Sequence, residues 1–190
     1  MLRQLVVGPY QANCYILGCE ETKEGLVIDP GGDADRIVKE ITNLKLKIRY
    51  ILITHGHMDH TGGAEEVKKI THAPLWIHPL DAGGLSFQAD DLLSDGQDIP
   101  LGNFTISVIH TPGHSPGGVS FYAPGAVFTG DTLFAGSIGR TDFPGGDHNQ
   151  LIQGVIQKIF PLGDELRVYP GHGPRTTIGQ ERAHNPFFRS

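Results

Sequence analysis

Four potential metal ligands lie within six residues of sequence, immediately after an apolar run that is typical of a buried strand. They are His55, His57, Asp59 and His60, and the apolar run covers residues 48–53. Side chains of a strand alternate between its faces, and residues 55, 57 and 59 of a helix point away from one another. A loop can instead fold around a metal. We expect it to turn His55 and His57 toward one ion and Asp59 and His60 toward another.

The ligand types indicate which metals would bind. Imidazole and carboxylate groups are the ligands expected for zinc, and also for iron and manganese. The alternative is a polar surface turn that happens to contain histidines. It does not explain why three histidines and an aspartate follow the end of a core strand. The segment therefore predicts a centre of two divalent metal ions, with zinc favoured over iron or manganese.

Three further predicted strands end in a loop with a potential ligand. These are His114, Asp131 and His172, and each lies close to glycine or proline. Glycine beside a ligand lets the backbone turn tightly and approach an ion. Each of these loops alone is a weak signal. Together with the first loop they supply five histidines and two aspartates, a complete set for two metals.

Strands and helices must position these loops, and they follow one another in a similar order in the two halves of the chain. Strands are predicted at 2–8, 12–18, 25–28, 48–53, 74–78, 104–110, 118–122, 126–129 and 167–169. Helices are predicted at 34–44 (with Asp33 as its N-cap), 63–71, 149–160 and from about 177, and residues 79–98 form a short helix plus an irregular loop. This order predicts an α/β fold with two packed sheets and helices outside, a four-layer αββα sandwich. We expect residues 1–190 to form one domain.

Composition excludes several classes of partner. The net charge of −6 argues against nucleic acid or an anionic membrane as the main partner. No apolar run approaches the roughly 20 residues of a membrane span, and no signal peptide is recognisable. Cys14 lies in the predicted strand 12–18 and Cys19 directly follows it. Their separation of five residues places the two side chains on opposite faces of an extended chain, so we expect no disulfide between them. We therefore expect a cytoplasmic protein with a small-molecule partner.

The series His55-x-His57-x-Asp59-His60, followed by His114, Asp131 and His172, resembles that of the metallo-β-lactamase superfamily. Within it the chain is similar, over nearly its whole length, to the small bacterial glyoxalase II-like hydrolases. The resemblance implies that His55, His57 and His114 hold the first metal, and that Asp59, His60 and His172 hold the second. Asp131 would bridge both, together with a water or hydroxide that Asp59 or Asp131 orients for catalysis. It also implies the αββα fold.

The same resemblance implies a small thioester substrate such as S-lactoylglutathione. A thiol has a pKa of about 8.5, so a thiolate leaves with little help from a general acid. Full-length glyoxalase II enzymes bind glutathione with basic residues of a C-terminal helical domain, whereas this chain ends soon after His172. We therefore expect hydrolysis rather than strong glutathione recognition to carry over.

Two other classes of function remain open. The first is a persulfide dioxygenase with one Fe(II) on His55, His114 and Asp131, to which residues 139–143 are also similar. The second is a non-catalytic binding module, against which seven intact ligands argue. Lactone and phosphodiester hydrolysis are further possibilities within the superfamily.

Three residues outside the ligand series have candidate roles. Arg140 follows a predicted ligand loop and is our candidate for contacting an anionic substrate, with an internal ion pair to Asp142 as the alternative. His148 precedes a predicted helix and is a candidate substrate contact at the rim or a helix cap. Asp29 ends its strand and either hydrogen-bonds the histidine loop or simply forms a turn.

Overall fold

Two six-stranded sheets form the frame of the protein. The structure, a computed structural model, describes residues 1–189. The strands of the first sheet, in spatial order, are β1 (Leu2–Val7), β2 (Ala12–Gly18), β3 (Glu24–Ile28), β4 (Lys47–Leu52), β5 (Leu75–Ile77) and β6 (Asp91–Leu92). The second sheet is built from β7 (Asp98–Leu101), β8 (Phe104–His110), β9 (Val119–Ala123), β10 (Ala126–Gly130), β13 (Arg167–Pro170) and β14 (Thr176–Thr177). A small hairpin joins β11 (Leu133–Phe134) and β12 (Ser137–Ile138).

Helical segments cover the outer faces of the sheets and form some of the connections. The α-helices are α1 (Ala34–Leu44), α2 (Met58–Thr61), α3 (Ala64–Thr71), α4 (His148–Gly154) and α5 (Ile178–His184). Helix α4 continues as a π-helical segment, Val155–Ile159, and a 3₁₀ turn, Phe160–Leu162. Within residues 1–189, no helix has the length and apolar character needed to cross a membrane.

Parallel pairing within each sheet brings the candidate ligand loops to one edge. Strands β3, β4, β5 and β6 pair in parallel in the first sheet, and β1, β2 and β3 form an antiparallel meander. In the second sheet β10 pairs in parallel with β13, while β7 to β10 are antiparallel. The carboxyl ends of parallel neighbours lie at the same edge. The loops after β10 and β13 therefore emerge side by side.

Three apolar clusters separate four layers. Strand β3 shows the alternation clearly: Val27 packs in a cluster with Ile37 of α1 and Val67 of α3, whereas Leu26 and Ile28 face the other sheet. A third cluster joins the second sheet to α4 and α5. The predicted αββα sandwich is confirmed by this layering.

Asp33 occupies the predicted N-cap position of α1, but its side chain does not cap the helix. Asp33 has a left-handed backbone (φ 49°), and its side chain makes no hydrogen bond to the helix terminus. Its Oδ2 instead accepts a hydrogen bond from the Gly8 amide at 3.1 Å. The carboxylate therefore ties the helix entry to the β1–β2 turn, a long-range contact that residue spacing cannot reveal.

The layer between the two sheets should dominate stability. Phe121 of β9 is fully buried there. Phe121→Ala should lower the free energy of unfolding by about 3–5 kcal/mol, because it removes apolar contacts and leaves a cavity. Urea denaturation of the metal-free protein measures this change. Phe187→Ala removes a ring that is 46% exposed and serves as the control. An equal loss in both variants would contradict the assigned core.

Candidate metal centre

The first sheet supplies four candidate ligands at the carboxyl end of β4. His55 and His57 lie on the loop that follows the strand, with His55 buried and His57 half-buried. Asp59 and His60 lie on α2, a single helical turn that begins at Met58. The ligands thus come from a loop and the helical turn after it, rather than from the continuous loop that the sequence predicted.

The second sheet supplies the other three candidate ligands. His114, Asp131 and His172 follow β8, β10 and β13. The turn before His172 passes so close to the site that a Cβ atom at Gly171 would collide with Asp131 Oδ1. Buried Asn13 of β2 holds this turn, donating from Nδ2 to the carbonyl oxygens of Pro170 and Gly173, both at 2.9 Å. Sequence analysis missed Asn13, because these bonds join residues at opposite ends of the chain.

All seven candidate ligands converge between these loops. Their donor atoms form three overlapping sets, each within 4.8 Å: His55, His57 and His114; Asp59, His60 and His172; and His55, His60 and Asp131. We call the first the three-histidine group and the second the Asp59 group. Asp131 lies between the two groups, because its Oδ2 is 3.6 Å from His114 Nε2 and 3.7 Å from His172 Nε2.

Two buried atoms at this point lack a hydrogen-bond partner among residues 1–189. They are His55 Nε2 and Asp131 Oδ1. Asp131 Oδ1 is 3.4 Å from His60 Nε2 without hydrogen-bond geometry. A buried acceptor without a partner is costly unless something else satisfies it. A divalent cation satisfies both atoms, and the donor set of imidazoles and carboxylates suits such an ion. The residues present therefore fit a metal centre.

The ionisation of His55 and of the two carboxylates also suits a cation. Burial, together with the neighbouring imidazoles, lowers the pKa of His55, which keeps this ring neutral as metal ligation requires. Burial works against ionisation of Asp59, but the hydrogen bond from His172 and the charge of His60 outweigh it and lower its pKa to about 2. The pKa of Asp131 is likewise lowered by the surrounding histidines against the effect of burial. Both carboxylates thus remain ionised at neutral pH.

Outer hydrogen bonds turn the ligand imidazoles inward. His60 Nδ1 lies 3.0 Å from Asp29 Oδ2, and this carboxylate also accepts bonds from the Thr54 amide and hydroxyl at 2.7 and 2.6 Å. Of the two roles considered for Asp29, the hydrogen bond to the histidine loop is the one observed. His114 Nδ1 lies 2.8 Å from the carbonyl oxygen of Arg140. With Nδ1 donating, each ring presents the lone pair of Nε2 to the site.

A cavity of about 600 Å³ opens over the candidate ligands. Apart from the ligands, its lining includes Tyr10, Met58, Phe134, Ser137, Ile138, Arg140 and Phe143. Apart from Arg140, these wall residues were not predicted, because their residue types and spacing in the sequence are not distinctive. Met58 is 71% exposed in spite of its apolar side chain.

The two candidate substrate contacts have different surroundings. Arg140 lines the cavity, but its guanidinium makes a bidentate pair with Asp142, with both bonds at 2.7 Å, and lies 3.9 Å from the centroid of the Phe143 ring. The internal pair considered for Arg140 is therefore formed. His148 is exposed at the start of α4, where its ring is 6.4 Å from that of Phe187. Among residues 1–189 it is not part of the cavity lining.

Comparison with known proteins agrees with this geometry. The sequence profile described as the metallo-beta-lactamase superfamily matches residues 7–172, which include all seven candidate ligands. The chain belongs to this superfamily. Like the fold, the profile match extends across both sheets, so membership of the superfamily does not rest on the histidine loop alone.

Four relatives within the superfamily are informative. The chain is 38% identical to hydroxyacylglutathione hydrolase GloC of Haemophilus influenzae, over 97% of this chain and 96% of the relative. Among solved structures it is similar to BLEG-1 B3 metallo-beta-lactamase (TM-score 0.95, 40% identity, all of both chains). ETHE1 from Myxococcus xanthus has a TM-score of 0.89 at 33% identity, covering 98% of this chain and 83% of that one. TTHA1623, solved in a di-iron-bound form, has a TM-score of 0.83 at 35% identity, covering 97% and 99%.

Removal of Asp131 should disturb both groups at once. Asp131→Ala leaves the ligands of the two groups without the carboxylate between them, so metal content per chain should fall by more than half. Atomic emission spectroscopy on dialysed protein measures the change. The control is Asp91→Ala, which removes an exposed carboxylate of β6. Wild-type metal content in Asp131→Ala would contradict the central position of Asp131.

Proposed function

We propose that this chain is a hydrolase of small thioesters, for example S-lactoylglutathione, and that it works with two divalent metal ions. One observation carries the proposal: seven candidate ligands from both sheets converge beneath an open cavity, and two buried atoms there have no partner among residues 1–189. The likeness to a hydroxyacylglutathione hydrolase supports the thioester. We propose zinc as the metal, with iron and manganese as the alternatives that the same ligands accept.

The residues of the site have two roles: some would bind the metal ions, and others orient the water or the ligand side chains. Metal ions bound at such a site lower the pKa of a water molecule toward neutrality and polarise a carbonyl oxygen. The ionised Asp59 carboxylate, half-buried beside His172, can accept a hydrogen bond from the attacking water and so orient it. Asp131 keeps the two groups at a fixed separation. The outer bonds of Asp29 and the Arg140 carbonyl hold His60 and His114 in the required tautomer.

The composition of the cavity wall favours a thiolate as leaving group. Outside the ligand set the lining consists of apolar side chains with Tyr10, Ser137 and Arg140. Tyrosine, serine and arginine have high pKa values and are weak acids near neutral pH, so none is suited to protonate a departing amine. A thiolate needs no such proton, because its conjugate acid has a pKa of about 8.5.

A β-lactam is the second candidate substrate. The likeness to BLEG-1, which extends over all of both chains, favours it. The amine that leaves from a β-lactam needs a proton, however, and the wall offers few groups to give it. A persulfide dioxygenase, with a single iron on His55, His114 and Asp131, is the remaining alternative. The charge of −6 supports a small-molecule partner rather than nucleic acid.

Metal content and substrate preference should be measured on the same preparation. We expect about two metal ions per chain and metal-dependent cleavage of S-lactoylglutathione. Activity should disappear on treatment with a chelator and return when metal is added. Faster turnover of a β-lactam than of the thioester would assign the chain to the lactamases. A single iron, with oxygen uptake on glutathione persulfide and no thioester cleavage, would assign it to the dioxygenases.

The pair between Arg140 and Asp142 should limit binding of anionic thioesters. Asp142→Asn frees the guanidinium beside the cavity, so KM for S-lactoylglutathione should fall several-fold with kcat unchanged. Steady-state kinetics measures both constants. The double variant Asp142→Asn/Arg140→Gln should lose the gain, because no cation remains to be freed. An unchanged KM in Asp142→Asn would show that Arg140 does not contact this substrate.

A further inference from the structure

Asp81 makes hydrogen bonds to two of the loops that contain candidate metal ligands. We infer that its carboxylate is a positioning residue, which fixes the spacing of these loops and thereby sets the metal affinity of the three-histidine group. The inference rests on the proposed metal centre. Neither the ligand series nor the cavity lining includes Asp81, and it lies in the stretch 79–98 that the sequence left irregular.

The location of Asp81 gives it access to both loops. It follows β5 and precedes the 3₁₀ turn Ala82–Gly84, so it belongs to the first sheet. Its side chain is nevertheless buried, with only 7% of the residue exposed. Its partners include residues of the second sheet's His114 loop. The carboxylate thus joins ligand loops that belong to different sheets.

Three hydrogen bonds converge on this carboxylate. Oδ2 accepts from the amide of Gly56 at 2.9 Å and from the hydroxyl of Ser115 at 2.7 Å. Oδ1 accepts from the amide of Gly117 at 2.6 Å. Gly56 lies between His55 and His57, and Ser115 follows His114. Every ligand of the three-histidine group is therefore adjacent in sequence to a residue that donates to Asp81.

The close approach of these loops requires glycine. A Cβ atom at Gly117 would collide with the Asp81 carboxylate, and one at Gly56 would collide with the Asp81 carbonyl oxygen. The backbone amides can therefore come within bonding distance only because neither residue has a side chain. This geometry requires acceptors at both oxygens of residue 81. A carboxylate offers two, whereas an amide would turn a donor toward one of the bound groups.

Asp29 provides an internal comparison. It bonds to Thr54 and directly to His60, a member of the Asp59 group. The bonds of Asp81, in contrast, reach only the loops of the three-histidine group. Loss of Asp81 should accordingly weaken one metal position and spare the other. A purely structural role would instead lower overall stability without selecting between the two groups.

The test is Asp81→Asn, examined by competition for Zn²⁺ with a chromophoric chelator. One of the two binding events should weaken by about 10- to 100-fold, as for other partners of metal ligands, and the other should change by less than twofold. Asp90→Asn is the matched control. Asp90 also accepts a backbone hydrogen bond, from the Leu75 amide at 2.7 Å, but it lies outside the ligand loops. It should leave both binding events unchanged.

Variants that each retain one group identify the affected position. In a His172→Ala background the three-histidine group remains intact, and Asp81→Asn should weaken the binding that is left. In a His57→Ala background, which retains the Asp59 group, Asp81→Asn should have little effect. Equal losses in both backgrounds, or none in either, would overturn the inference. The measurement uses no substrate, so a failure of the proposed thioesterase activity would not affect it.

If Asp81→Asn does not fold, Ser115→Ala replaces it. This variant removes one of the three donors and leaves both backbone amides in place. It should weaken the same binding event by a smaller factor, whereas unchanged binding would overturn the inference. Thermal denaturation of the metal-free variants, compared with wild type, separates loss of affinity from loss of folding.

Discussion

The structure depends on confining imidazoles and carboxylates to a small volume between the two sheets. Burying such groups without partners costs several kcal/mol each by the usual estimates. Asp29, Thr54 and the Arg140 carbonyl offset part of this cost by hydrogen-bonding to these groups or to one another. Among residues 1–189, two buried side-chain atoms have no hydrogen-bond partner, His55 Nε2 and Asp131 Oδ1. A divalent cation bound between them would complete both.

Topology determines where this confinement can occur. A metal centre with ligands from two sheets needs several strand ends at one edge, and parallel pairs provide them. The pair β10 and β13 delivers Asp131 and His172 side by side, and β4 delivers His55 from the facing sheet. In an antiparallel pair, the carboxyl ends of the two strands lie at opposite edges of the sheet. The mixture of parallel and antiparallel pairs in each sheet is therefore required to assemble the metal centre as well as to pack the core.

Local sequence patterns predicted most of the frame. The run 34–44 with apolar residues at helical spacing is α1, and 104–110 is β8, because each pattern reflects burial of one face. The seven candidate ligands could be selected because histidines in glycine-flanked loops after apolar runs are a distinctive combination. The structure brings all seven together.

What the sequence could not reveal are contacts between residues distant along the chain. Asn13 bonds to the turn before His172, and Asp33 bonds to Gly8 instead of capping α1. Neither Asn13 nor Asp33 lies in a sequence motif that would predict these contacts. The bidentate pair of Arg140 with Asp142 is local, yet residue spacing alone could not distinguish it from a substrate contact. Such choices depend on side-chain geometry rather than on spacing.

Asp29 and Asp81 illustrate two ways in which a buried carboxylate can support a metal centre. Asp29 contacts the ligand His60 itself and so determines which ring nitrogen carries the proton. Asp81 contacts no ligand side chain among its hydrogen bonds and acts on backbone amides and a hydroxyl. The first arrangement sets the chemistry of one ligand, and the second sets the distance between loops. A metal centre shared by two sheets needs both kinds of support. Ligand histidines in the correct tautomer can bind an ion only if the loops that carry them stay at the correct distance.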